Sequence, residues 1–231
     1  MMHYILNYGV TWYVFMCYTE VCSQMVTWMY IKMALRLSGW IILFCADVLA
    51  RPVSYPGGMT ASVTRERDHQ SITWHYSPTS HYAIGLSVMN HEWLQDTTTY
   101  AIFNYLLYRN NHKHSQGNIY VKSGLGIESW RENFISIDGD WETRSVFVGA
   151  GLKHMSHDRT YMDKAYVLAG FAPYVGKYGD LHTWLMLKAQ YNNQTNDVEW
   201  LPFIKMFRNS WLLKIGYSSN KDIYLGGILR F

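Results

Sequence analysis

The stretch Leu181-His182-Thr183-Trp184-Leu185-Met186-Leu187-Lys188-Ala189-Gln190 decides how this chain folds. Leu181, Thr183, Leu185, Leu187 and Ala189 fall on one parity; His182, Trp184, Met186, Lys188 and Gln190 fall on the other. Side chains of an extended backbone point alternately to opposite faces, so the stretch predicts a β-strand between an apolar and a mixed polar environment. The same period governs residues 118–128, where Ile119, Val121, Leu125 and Ile127 share a parity, and 211–218, where Trp211, Leu213, Ile215 and Tyr217 do. Similar segments lie near 59–66, 70–77, 81–92, 98–109, 138–154, 163–176, 198–208 and 222–231. Turn chemistry separates several of them: Ser77-Pro78-Thr79, Asn110-Asn111, Gly176 to Asp180, Asn192-Asn193 and Ser219-Asn220. The expectation is one all-β domain.

Composition agrees. The 231 residues are 49% hydrophobic, 16% aromatic and 16% charged, which excludes disorder, collagen and a coiled coil. A formal charge of +3 is too weak for a nucleic-acid surface, so no nucleic-acid partner is expected. Cys17, Cys22 and Cys45 all precede residue 46. Residues 33–50 read as a secretory signal, with Arg36 as charged lead, an apolar stretch from Leu37 to Ala46 and Val48-Leu49-Ala50 as cleavage site. Residues 1–32 read as an N-terminal extension upstream of a start at Met33, with a spanning helix from Tyr4 to Thr19 as the alternative. Export would leave 51–231 without cysteine, so a disulfide scaffold is excluded.

Period-two alternation fits either a soluble barrel with its apolar face inside or a membrane barrel with that face on lipid. Aromatic residues near strand ends favour the second: Trp74, Tyr76, Trp93, Tyr100, Tyr108, Trp130, Trp141, Tyr174, Tyr178, Trp200, Trp211 and Tyr217. So do charges inside strands, among them Lys122, Glu128, Asp140, Glu142, Arg144, Lys188, Lys205, Lys214 and Arg230. A soluble core would have to bury and pair these, whereas a polar lumen accommodates them. At the C-terminus Ile223, Leu225, Leu229 and Phe231 alternate up to a terminal aromatic carboxylate. This resembles the assembly signal of bacterial outer-membrane barrels, and implies the barrel-assembly machinery and outer-membrane lipid as partners.

The fold expected is a small antiparallel transmembrane β-barrel, closed with an even number of strands. Ten strands are favoured, with 59–66 outside the barrel or fused to its neighbour. Eight is an alternative, and twelve follows if 138–154 is two strands. With a periplasmic C-terminus, the connections at 219–221, 192–198, 155–162, 110–117 and 77–81 are expected outside. Those at 208–210, 176–180, 130–138 and 90–97 are expected in the periplasm.

Three constellations could carry function. Asp140, Glu142 and Arg144 on one strand face, with Lys122, Glu128 and His182, suit a lumen charge network. His154-Met155-Ser156 resembles the His-x-Ser pair of outer-membrane lipid A deacylases, which implies His154 as base, Ser156 as nucleophile and Asp158 as orienting carboxylate. His112, His114, His154 and His157 could bind metal ions through imidazole, although ordinary exposed histidines are the simpler reading. No cofactor is expected.

The run from Ala172 to Leu187, with 140–144, Lys122-Ser123-Gly124-Leu125-Gly126 and Tyr76-Ser77-Pro78, resembles an uncharacterised family of small proteobacterial outer-membrane proteins. The resemblance extends from Arg51 to Phe231. It implies genes often placed beside heavy-metal efflux systems, and with the strand pattern the expectation is a non-enzymatic barrel in the bacterial outer membrane, with a mostly plugged polar lumen and a link to envelope or heavy-metal stress. A deacylase-like hydrolase and a soluble periplasmic binding barrel are the alternatives.

Overall fold

Residues 51–177 and 179–231 are described by a computed structural model. The expected extension at 1–32, the leader at 33–50 and Tyr178 lie outside the described residues. The first six strands are β1 (Gly58–Arg65), β2 (His69–Ser77), β3 (Tyr82–His91), β4 (Asp96–Asn111), β5 (Ser115–Gly126) and β6 (Asn133–Thr143). They continue as β7 (Val146–His157), β8 (Thr160–Phe171), β9 (His182–Asn192), β10 (Asp197–Arg208), β11 (Trp211–Tyr217) and β12 (Ile223–Arg230). Each pairs antiparallel with its sequence neighbours, and β1 pairs with β12, so the sheet closes on itself.

The barrel has twelve strands where ten were expected. The run 138–154 holds parts of two strands, because the chain reverses at Arg144-Ser145. Thr143 makes that turn without glycine or proline: its Oγ1 accepts from the Ser145 and Val146 amides at 3.2 and 2.9 Å. The segment near 59–66 is a barrel strand in its own right. One added turn changes the parity of everything before it. The connections at 78–81 and 112–114 therefore lie at the end that holds the C-terminus, called here the closing end. Those at 92–95 and 127–132 lie at the far end, the reverse of the expected arrangement.

Closure is completed by the last residue. Met59 donates its amide to the Phe231 carbonyl at 2.7 Å, Phe231 returns the bond at 3.0 Å, and its ring meets Trp74 edge-on at 6.2 Å. Ile223, Leu225, Leu229 and Phe231 all project outward.

The alternation is resolved in one direction around the ring. Leu185, Leu187, Ile204, Ile215 and Val167 are exposed on the outside, whereas Lys188, Lys205, Glu142 and Arg230 are 4–8% exposed on the inside. Outward aromatics gather near both rims. Trp74, Tyr76, Trp141, Phe171 and Trp211 lie toward the closing end, and Tyr161, Tyr191, Trp200 and Tyr217 toward the far end. Tyr100 departs from the expected girdle: it is buried in the lumen with Met89, Ile102, Met155 and Met162, and Trp93 packs on that group. A second lumen cluster comprises Trp184, Met186, Leu201, Phe203 and Tyr224.

The strands curve so tightly that some inward positions have no room for a side chain. A Cβ on Gly85 would lie 2.0 Å from the Trp74 carbonyl oxygen and 2.6 Å from the His75 Cα. Both are backbone atoms of β2, which cannot swing aside. Gly85→Ala is expected to destabilise the barrel by about 1–3 kcal/mol, the range for overpacking. A lower unfolding midpoint by circular dichroism of refolded protein would show it, and an unchanged midpoint would mean that β2 and β3 do not approach so closely.

Candidate functional site

The lumen is organised by charge. Glu66 continues the inward parity of Thr60, Ser62 and Thr64, and Asp68 follows in the same turn, so the β1–β2 connection directs two carboxylates inward. Lys164 on β8 meets them: its Nζ lies 2.6 Å from Glu66 Oε2 and 3.0 Å from Asp68 Oδ2. Lys188 on β9 reaches Glu66 Oε1 at 3.0 Å. Burial pushes the Glu66 and Asp68 carboxyls up, but Lys164, helped by Lys188 at Glu66 and His69 at Asp68, holds both well below the usual carboxylate range.

A second network fills the middle. Lys122 Nζ lies 2.9 Å from Asp138 Oδ2, which also accepts from Ser136 Oγ at 3.0 Å, while the Tyr166 hydroxyl donates to Asp138 Oδ1. Asn118 donates to Asp140 at 2.7 Å and accepts from Arg109 at 2.9 Å. Lys205 lies over the rings of Phe147 and Trp184 at 4.7 and 5.2 Å, a cation–π arrangement.

The closing end is filled by the segment before β1. Arg51 pairs with Glu142 at 2.8 Å, the Pro52 carbonyl accepts from Asn104, Val53 is fully packed, and the Ser54 amide donates to Ser77 Oγ. Between these groups is a lumen cavity of about 220 Å³, bordered by Arg51, Tyr120, Lys122, Asp138, Tyr166 and Lys205.

The residues expected in a lumen charge network are distributed as follows. Asp140, Glu142 and Lys122 are in it. Arg144 is not: it is exposed in the turn after β6, and Arg51 takes its place at Glu142. Glu128 is exposed in the β5–β6 connection, and His182 is half-buried, stacked on Phe207 at 4.6 Å. Sequence reasoning missed Glu66, Asp68, Asp138 and Lys164, although each continues the inward parity of its strand.

The expected catalytic trio is also rearranged. His154 and Ser156 share the outward face of β7 near the far end. Asp158 does not face them: it occupies the β7–β8 turn at φ 47° and pairs with Arg131 at 3.0 Å. The carboxylate on His154 is Asp163 of β8, directly across the ladder, with Oδ1 2.6 Å from Nδ1. The His154 ring also stacks on Tyr161 at 5.9 Å. Beside this pair an outward groove of about 590 Å³ runs over Val121, Ile135, Ile137, Leu152 and Tyr191.

The four candidate metal-binding histidines do not meet. His112 and His114 are exposed in the β4–β5 connection at the closing end, and His154 and His157 are at the far end. Those two are parted again by strand parity, because His157 turns inward, 3.5 Å from Asp96, while His154 faces out.

No protein-family model matches the chain, and a comparison with curated proteins finds no similar sequence.

The Lys164 cluster gives two expectations. Lys164→Met leaves Glu66 and Asp68 buried with reduced compensation and is expected to cost about 3–5 kcal/mol. Because both carboxyls titrate lower in the folded state, their contribution is present above about pH 4, the unfolded value, and is lost as pH falls further. Unfolding midpoints between pH 7 and pH 2.5 should fall for the parent and fall less steeply in Lys164→Met. Parallel curves would remove the cluster from the explanation.

Proposed function

We propose that the chain is an integral outer-membrane β-barrel, non-enzymatic in its main role, whose lumen is closed by its own side chains. One observation carries this reading: the barrel is apolar outside and charged inside. Trp74, Ile72, Leu152, Val167 and Ile215 are 44–65% exposed, while Lys164, Lys188 and Lys205 are 5–8% exposed. A soluble binding barrel would need the opposite, since contiguous apolar surface of this extent is unstable in water and lysine is seldom buried. Lipid meets the first condition, and aromatic rims at both ends suit headgroup interfaces. The outward alternation of Ile223, Leu225, Leu229 and Phe231 along the strand that closes the barrel supports assembly into the outer membrane. By that convention the closing end faces the periplasm and the far end faces outside.

The closed lumen argues against a general porin. Ion pairs at the far end, the polar and apolar contacts of the middle and the Arg51–Gly57 segment at the closing end, with cavities of only about 220 Å³ between them among the described residues, support a closed lumen. A link to envelope or heavy-metal stress is part of the proposal on the strength of the family resemblance alone.

If the reading holds, the protein sediments with outer membranes, resists alkaline carbonate, shifts on gels only after heating, and gives little conductance in planar bilayers. Release into osmotic-shock fluid without detergent would overturn it.

One arrangement favours a second reading, hydrolysis of a lipid ester. Asp163 on Nδ1 would orient the imidazole and leave Nε2 for Ser156 on the same face, the division of labour of a Ser-His-carboxylate triad. The adjoining apolar groove could receive an acyl chain. In mixed micelles of phospholipid or lipid A, fatty-acid release should then be abolished by Ser156→Ala and His154→Ala and fall at least tenfold with Asp163→Asn. No release by the parent protein would dispose of this reading.

A further inference from the structure

At the far end the turns after β1 and β3 meet the inward faces of β9 and β10 around a cavity of about 220 Å³, separate from the one at mid-lumen. Its wall includes Glu199, Asp197, Glu92, Asp68, Gln190 and Trp93. Glu199 and Gln190 are 7% and 5% exposed. Gln190 Nε2 donates to Glu199 Oε2 at 2.5 Å, which fixes the amide orientation. Gln190 Oε1 is then a buried acceptor with no partner.

The charges on this wall are unbalanced. Lys164 engages Asp68, but Glu199 receives its bond from a neutral amide, and Glu92 receives one from the neutral Gln70. Arg67, the cation on the wall, is turned to Asp222 at 3.6 Å. Against these acceptors stands one unpartnered donor, the Trp93 indole N–H. A buried carboxylate without a cation and a buried carbonyl oxygen without a donor are each unfavourable, and one positively charged N–H group would satisfy both.

We propose that this cavity binds an organic ammonium of the alkylamine or polyamine class. Glu199 and Gln190 Oε1 receive one ammonium, Asp197 and Glu92 attract further charge along the wall, and Trp93 packs against the methylene chain. A bare divalent metal fits less well. Among the described residues, the trio of His, Asp or Glu ligand atoms lying within 4.8 Å of one another is Glu66, Asp68 and His69, and Lys164 already engages both of its carboxylates. Acceptors spread along a wall suit a ligand whose charges are also spread.

The test is isothermal titration of the full chain, refolded in detergent micelles, with spermidine and separately with Mg²⁺. Saturable spermidine binding is expected, at least tenfold weaker in Glu199→Gln and clearly weaker in Gln190→Leu, with Mg²⁺ unable to compete at equal concentration. No saturable binding, equal affinity in both variants, or Mg²⁺ competing as strongly as spermidine would overturn the proposal. Should Glu199→Gln fail to refold, Asp197→Asn, at an exposed position, replaces it with the same two outcomes. Binding in micelles reports on inward side chains, so its failure would leave the membrane reading untouched.

Discussion

Pairing of β1 with β12 is the constraint on which everything else in this barrel depends. A sheet of twelve strands that stayed open would present two rows of unpaired backbone groups, intolerable in lipid and prone to aggregation in water. The ladder from Thr60–Arg230 to Arg65–Leu225 removes both edges, and the Met59–Phe231 exchange extends it to the last residue. Once the ring is closed, each strand has one face toward the lumen, and the period-two sequence is sorted into two concentric surfaces.

That sorting explains the electrostatics. Lysines on β8, β9 and β10 are buried, and burial of an isolated ammonium is costly. Two devices compensate them: carboxylates on a turn folded into the far end, which engage Lys164 and Lys188, and aromatic rings beneath Lys205 and Lys188. The barrel is filled by polar contacts between strands distant in sequence, with apolar clusters interleaved.

Much of the fold was legible because the side-chain period is a local property. Residues 181–190 show their inward and outward sets directly, and the structure keeps both: Trp184, Met186, Lys188 and Gln190 are buried, and Leu185 and Leu187 face out. Strand number was less legible. The turn at Arg144-Ser145 carries neither glycine nor proline and is held by the Thr143 hydroxyl, so the run 138–154 reads as unbroken. One concealed turn was enough to reverse the end assigned to every earlier connection. Tyr100 was misplaced for a related reason: an aromatic near a strand end suits a rim or a lumen, and only parity within the closed ring chooses.

The candidate sites show the same division. His154 and Ser156 share a face by spacing alone, but Asp158, the nearest carboxylate in sequence, is carried away by the turn, and Asp163 arrives through cross-strand register. Likewise Glu142 was visible as an inward charge, while its partner Arg51 comes from 91 residues away. The sequence by itself determined that the chain alternates, that its charges and apolar residues lie on opposite faces, and that the last strand ends in an outward aromatic. Those properties follow from geometry within a single strand. Which charges meet, which end each loop occupies, and how the lumen is filled were decided by the tertiary structure, because they depend on strand count, closure and register between segments that no local pattern connects.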